Sequence, residues 1–352
     1  MQIVRANELK PGMRLARTVY GTKGQMLLSA GTILNRTYIR RLIALGFPAV
    51  YIGDPTEAYS FTEPISENTR IKAINVLKDS FADANIGGTL KLEPVSKMVY
   101  TMIDEITLNK DVAVHLADIR SHSDYTFGHS VNVCVLAIMM GNAIRLNELQ
   151  LSELAMGAML HDVGKILIPD SILLKATQLN AVEWKEMKRH SRYGFDILRL
   201  KPEFSVQGAH VAYQHHERIN GSGYPRGLKG EEIHLYARLV AIADTYDAMT
   251  ADRVYRKGVT PNQALKTIHG LKDKQFDTLL VDAFLDSVYP YPAGSKIELD
   301  TGEVGIVVAK PKPHELHVNV GYHETDGARN SIRKVYINPQ EESTAPRIIL
   351  DM

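Results

Sequence analysis

The chain has 352 residues, of which 45% are hydrophobic and 23% charged, with a formal charge of +1; intrinsic disorder and a basic nucleic-acid-binding field are both excluded. Its single cysteine, Cys134, excludes a disulfide framework and a cysteine-built zinc site. No apolar run approaches a membrane span and the N-terminus lacks the apolar core of a secretion signal, so a cytoplasmic protein with no membrane or nucleic-acid polymer partner is expected.

Residues 1–58 mix short β-like runs (IVRANEL, RLARTVYG, QMLLSAG, AVYIG) with one helix-like stretch, RTYIRRLIALGF, and read as a small α+β accessory domain. Residues 59–69 are polar around Pro64 and read as a linker. From 70 to 287 the apolar period is that of helices, as in Ile71, Ile74, Leu77 and Phe81, and again in Val95, Met98, Val99 and Met102. Past Tyr289-Pro290-Tyr291-Pro292 the period falls to two in SKIELD, EVGIVVAK and LHVNVGY, so 288–352 reads as a small antiparallel β module and tail. The predicted fold class is mainly α: a helical bundle between a small N-terminal α+β domain and a C-terminal β module.

The helical segment carries a set of metal-ligand residue types: His129, His161, Asp162, His190, His215, His216 and Asp244. Five imidazoles and two carboxylates without sulfur suit borderline divalent ions such as Fe or Mn, and equally Zn or Ni. The stripe Leu151, Leu154, Ala158 runs into His161, which points that histidine inward. Gly164 reads as the helix C-cap that turns Lys165 back over the site. Asn180, with Glu183 three residues on, reads as the cap of the helix that carries His190. Asp244 shares a stripe with Ala237, Ala241 and Ala248, and an inward carboxylate must be paired or metal-bound. One inward histidine is ordinarily a hydrogen-bonded core residue, but seven such groups within about 120 residues need a common explanation. The remaining histidines (115, 122, 210, 234, 269, 314, 317 and 323) fit no such pattern and read as surface or packing residues.

Three blocks, HDVGK (161–165), HHERINGSGYPRGLKG (215–230) and ADTYDAMTADRVYRK (243–257), together resemble the HD-GYP family, a branch of the HD phosphohydrolases, whose GYP is here Gly223-Tyr224-Pro225. The resemblance spans about residues 70–287 and implies an HD-type bundle. It also implies a binuclear site in which Asp162 bridges two divalent metals, Fe or Mn foremost. His129, His161 and Asp244 would complete one metal's shell, and His190, His215 and His216 the other's. Lys165 is implied near the scissile phosphate as a catalytic and substrate-binding group beside Asp162, with Arg253, Arg256 and Tyr224 as substrate contacts. Some family members carry a glutamate four residues before the first histidine as a ligand for a third metal. Here that position is Tyr125, which implies two metals. Asn220 stands where an aspartate is usual.

The family's activity would be hydrolysis of cyclic di-GMP to pGpG, with further cleavage to GMP left open, by a hydroxide bridging the two metals. Asp247 and Glu217 are candidates to orient ligating imidazoles. Two alternatives stay open: a phosphodiesterase for another cyclic dinucleotide such as cyclic GMP-AMP, and a non-catalytic receptor or scaffold. Expected partners are the dinucleotide, a diguanylate cyclase or other signalling protein, and a second copy of the chain in a homodimer.

Overall fold

Alternating short strands and glycine turns build the N-terminal part of the computed structural model, which describes residues 2–21, 25–47, 49–53, 64–85, 89–108, 125–175, 177–251, 258–288, 296–299, 304–307, 316–322, 331–337 and 348–351. Strand β1 (Gln2–Arg5) gives way to a single 3-10 turn, so IVRANEL is only half strand. Strands β2 (Val19–Tyr20) and β3 (Met26–Leu28) follow, then helix α1 (Arg36–Ala44), which Asn35 caps by accepting from Tyr38 N–H, and β4 (Ala49–Ile52). β1 pairs antiparallel with β4, and β2 with β3. Leu15, Leu34, Leu42, Val50 and Ile52 close a small core here.

The helical part comprises α2 (Glu67–Asn85), α3 (Leu92–Leu108), α4 (Tyr125–Ala143), α5 (Glu148–Met159), α6 (Asp170–Leu173), α7 (Ala181–Met187), α8 (His190–Leu198), α9 (Val206–Gln214), α10 (Leu235–Thr250), α11 (Pro261–Gly270) and α12 (Thr278–Ser287). α4 is apolar nearly all round, and residues Val131 to Ile138 are fully buried apart from the almost buried Asn132. A helix with that pattern belongs at the centre of a bundle. α2, α3, α5, α10 and α12 all pack on it. Small residues set the closest approaches: a Cβ on Gly157 of α5 would lie 2.8 Å from the Gly208 carbonyl of α9.

Beyond the helices, β5 (Lys296–Leu299), β6 (Val304–Val307), β7 (Leu316–Tyr322), β8 (Ser331–Ile337) and β9 (Ile348–Asp351) form one antiparallel sheet in the order β8-β7-β6-β5-β9. The fold is mostly helical, as expected. Among the described residues no helix is long and apolar enough to cross a membrane.

Candidate metal centre

Four helices and one tight turn bring the candidate ligands together. His129 lies on the first turns of α4. After Met159 the chain leaves α5 and tightens into a 3-10 turn over Val163–Leu167, which sets His161 and Asp162 at the junction and Lys165 one turn on. The capping box of Asn180 and Glu183 forms, but it starts α7, which ends at Met187. His190 opens α8 instead, because Arg189 N–H turns early onto the Glu186 carbonyl and breaks the ladder. His215 and His216 follow the end of α9, and Asp244 lies inside α10.

Gly164 also departs from its expected role, since it sits inside the 3-10 turn without the positive φ of a C-cap. Its missing side chain serves packing: a Cβ there would lie 2.0 Å from the His190 carbonyl oxygen and 2.4 Å from Gly194 N. The glycine therefore lets the backbone carrying His161 and Asp162 touch the backbone carrying His190.

Hydrogen bonds fix which nitrogen four of the five imidazoles present. His161 Nδ1 is 2.8 Å from the Ala158 carbonyl, His190 Nδ1 2.7 Å from that of Met187, and His215 Nδ1 3.1 Å from those of Val211 and Ala212. A carbonyl can only accept, so Nδ1 carries the proton in all three and the Nε2 lone pair is left to face inward. His129 follows the same logic with a carboxylate, its Nδ1–H donating to Asp247 Oδ2 at 2.6 Å.

The inward atoms converge. Candidate ligand atoms of His190, His215 and His216 lie within 4.8 Å of one another, as do those of His129, His161 and Asp162. Asp162 joins the two trios: its Oδ2 is 3.4 Å from His161 Nε2 of its own trio, and its Oδ1 is 3.5 Å from His190 Nε2 and 3.9 Å from His215 Nε2 of the other. Asp244 reaches His129 Nε2 at 3.1 Å and His216 Nδ1 at 3.9 Å. His161 Nε2 and Asp162 Oδ1 are buried and have no hydrogen-bond partner. Each such orphan costs about 1–3 kcal/mol, and both are acceptors within the ligand cluster, which bound cations would satisfy. The residues present therefore fit bound metal.

Electrostatics favour the same conclusion. Burial would raise the Asp162 carboxyl, but the Lys165 ammonium at 2.5 Å and His161 hold it well below the usual carboxylate range. Asp244 is likewise held low against burial, by its hydrogen bond with His129. Burial depresses His190 and His215, and lowers His216 to about 3. Ionised carboxylates and neutral imidazoles are the states that ligate metals. His129 differs: burial opposes its charge, yet Asp244 and Asp247 push it up to about 10. A cation between His129 and Asp244 would take the place of that Nε2 proton.

A second layer lies behind His129. Asp247 Oδ1 accepts from Asn132 Nδ2 at 2.8 Å, and Asn132 Oδ1 in turn accepts from Arg70 of α2. All three side chains are buried. This chain was only partly legible: Asp247 was a candidate, and Asn132 lies one helical turn after His129, but nothing in the sequence joins Arg70 to either. Asp247→Ala is expected to lower metal affinity at the trio containing His129 by about 10–100-fold, read by metal titration of the apoprotein. Unchanged affinity would show that the His129 tautomer does not depend on Asp247.

Among the described residues Glu217 orients no imidazole. Its carboxylate accepts from Arg226 N at 2.7 Å and Leu228 N at 3.0 Å and so staples the GYP loop. In that loop a Cβ on Gly223 would strike Glu217 Cα and Arg218 N at 2.4 Å, and Asn220 Oδ1 accepts from Ser222 N, an Asx turn that asparagine makes as well as aspartate. Tyr224 stacks on His216 with ring centroids 4.6 Å apart. Lys165 and Tyr224 are thus both brought to the cluster, whereas Arg253 and Arg256 lie outside the described residues. Tyr125 is the first residue of α4, and its side chain is outside the described set. Of the other histidines, His234 caps α10 through Nδ1 and His210 packs on Phe195; His317 lies in β7, and His115, His122, His314 and His323 are outside the described residues.

Residues 107–280 match the family described as HD domain. The chain is 33% identical over 228 residues to cyclic di-GMP phosphodiesterase PA4108 of Pseudomonas aeruginosa, covering 65% of this chain and 55% of that protein. It is 35% identical over 187 residues to 3'3'-cGAMP-specific phosphodiesterase 2 of Vibrio cholerae, covering 53% and 36%. The chain thus spans about half the length, or less, of these curated relatives. Among solved structures, Bd1817, an HDG"Y"P protein from Bdellovibrio bacteriovorus, shares the fold with a TM-score of 0.52 at 19% identity, over 80% of this chain and 97% of that one. The matched HD domain spans both the His161-Asp162 pair and the Gly223-Tyr224-Pro225 loop packed beside it, and in this segment the chain is similar to the cyclic dinucleotide phosphodiesterases named above.

Proposed function

We propose that the chain is a metal-dependent phosphodiesterase that hydrolyses cyclic di-GMP to pGpG. The observation that carries this reading is the pair of ligand trios that meet at Asp162, with His161 Nε2 and Asp162 Oδ1 buried and left unpartnered. Two divalent ions, Fe or Mn, held by His129, His161, Asp162 and Asp244 on one side and Asp162, His190, His215 and His216 on the other, would supply Lewis-acid polarisation of a phosphoryl group and activation of water. The protein's own part is orientation and charge. Backbone carbonyls hold three imidazoles in the tautomer that keeps Nε2 bare, and Asp247 accepts the Nδ1–H of His129, so that only its Nε2 proton would be displaced on metal binding. Lys165, at 2.5 Å from Asp162, brings a cationic donor to the departing 3′-oxygen, where a preplaced positive group acts on developing charge. Arg253, Arg256 and Tyr224 would hold the substrate, arginine matching phosphate oxygens in bidentate fashion. Residues 1–58 and 288–352 would be accessory domains flanking this catalytic unit.

The relatives divide between cyclic di-GMP and 3'3'-cGAMP enzymes, so cyclic GMP-AMP is the second substrate candidate. The deciding experiment purifies the full chain without oxygen, loads Fe or Mn, and follows a panel of cyclic dinucleotides chromatographically. Cyclic di-GMP is expected to disappear as pGpG accumulates, turnover stopping on chelation and returning on metal add-back. Cleavage of cyclic GMP-AMP alone would move the substrate to the second candidate. Tight binding without cleavage of either would make the chain a receptor.

A further inference from the structure

Trp184, the only tryptophan of the chain, lies on α7 with 46% of its surface exposed. Lys188, one turn on, places its ammonium 5.8 Å from the centre of the indole ring and 5.1 Å from that of Tyr224. Tyr224 is stacked on His216 at 4.6 Å and lies 6.4 Å from His190. Trp184, Lys188, Tyr224 and His216 therefore form a continuous ladder from one candidate ligand trio to an exposed face. Two neighbouring cations are neutralised, Lys175 by Glu183 and Arg189 by Glu186. Among the described residues Lys188 meets aromatic faces and no carboxylate. An ammonium held by ring quadrupoles keeps its N–H donors available to an anion.

We infer that Trp184 and Lys188 form a subsite for the non-reacting half of a cyclic dinucleotide, the indole stacking on a purine and Lys188 meeting the phosphate that is not cleaved. The inference rests on the proposed phosphodiesterase reading for its ligand. That ligand has two phosphates and two bases. With one phosphate at the ligand trios, the other half must lie along a neighbouring surface, and this ladder is contiguous with the trios. Base stacking on an aromatic ring tolerates any base, so the subsite contributes affinity for dinucleotides without selecting guanine over adenine. A lysine and tryptophan four apart could also serve only to stabilise α7. That role would leave Tyr224, 36 residues away, without a reason to lie under the same ammonium.

The fluorescence of the sole tryptophan reports directly on this site. Full-length protein stripped of metal is titrated with cyclic di-GMP, and saturable quenching is expected, with a dissociation constant raised roughly tenfold in Lys188→Ala and near wild type in Lys188→Arg. With metal restored, Trp184→Leu should raise KM for cyclic di-GMP by about tenfold with kcat changed far less, the split left by a contact equal in ground and transition states. Trp184→Phe should recover most of it. The KM for bis(p-nitrophenyl) phosphate, which has no nucleobase, should shift much less in the leucine variant. Absence of quenching, an equal dissociation constant in Lys188→Ala, or matching KM shifts for the two substrates would overturn the subsite. Quenching with no cleavage of any diester would uphold the subsite and sink the phosphodiesterase reading instead.

Discussion

Asp162→Ala is expected to remove phosphodiesterase turnover by roughly a thousandfold or more, the several kcal/mol that metal activation contributes to a barrier. The geometry gives the reason. Among the described residues Asp162 is the one carboxylate within 4 Å of His161, His190 and His215 together, so its loss weakens both trios at once. The stability effects have a sign that separates this role from a structural one. In metal-free protein Asp162 Oδ1 is buried without a hydrogen-bond partner, and its partner Lys165 is 29% exposed and can return to water. Removing Asp162 should therefore change the melting temperature of the apoprotein little. The rise in melting temperature on adding Fe or Mn, which follows the ratio of free ion to its dissociation constant, should shrink or vanish. Calorimetry with and without metal checks both halves. A variant that melts far lower without metal, yet keeps its metal-induced rise, would make Asp162 a scaffold residue.

How much of this centre could be read in advance depended on whether the governing contacts were local. The stripe of Leu151, Leu154 and Ala158 leads to an inward His161 through helical periodicity alone, and the structure buries His161 as that pattern requires. The capping box at Asn180 is equally local and formed as read. What periodicity could not supply was the end of that helix, because Lys188 and Arg189 have no breaker chemistry. His190 consequently fell on the wrong helix while still facing the site. Glu217 was misread for a related cause: its partners, Arg226 N and Leu228 N, are backbone groups that no residue type announces. Arg70 and Asn132 are 62 residues apart, and Asn132 and Asp247 are 115 apart, so their buried chain exists only once α2, α4 and α10 have packed.

Gly164 shows how the same residue can satisfy two readings that predict different outcomes. A C-cap glycine occupies positive φ, and replacing it with alanine costs about 1 kcal/mol. Gly164 does not have that φ, and its neighbours at 2.0 and 2.4 Å are main-chain atoms of His190 and Gly194, which cannot swing aside as a flexible side chain can. Gly164→Ala must therefore push the 3-10 turn off α8. Overpacking of this kind costs about 1–3 kcal/mol when neighbours can adjust; here, with backbone on both sides, a loss of about 3 kcal/mol or more is expected in urea unfolding of the apoprotein. The displacement also parts Asp162 from His190, so the metal-induced stabilisation should fall with it. Gly194→Ala is the internal comparison. Its Cβ would meet Ala212 Cβ at 3.1 Å and Gly164 N at 3.3 Å, distances that a small shift relieves. Its cost should stay near 1 kcal/mol. If Gly164→Ala unfolds at the same urea concentration as Gly194→Ala, the turn and α8 are not in backbone contact. The glycine after HDV would then have no packing role.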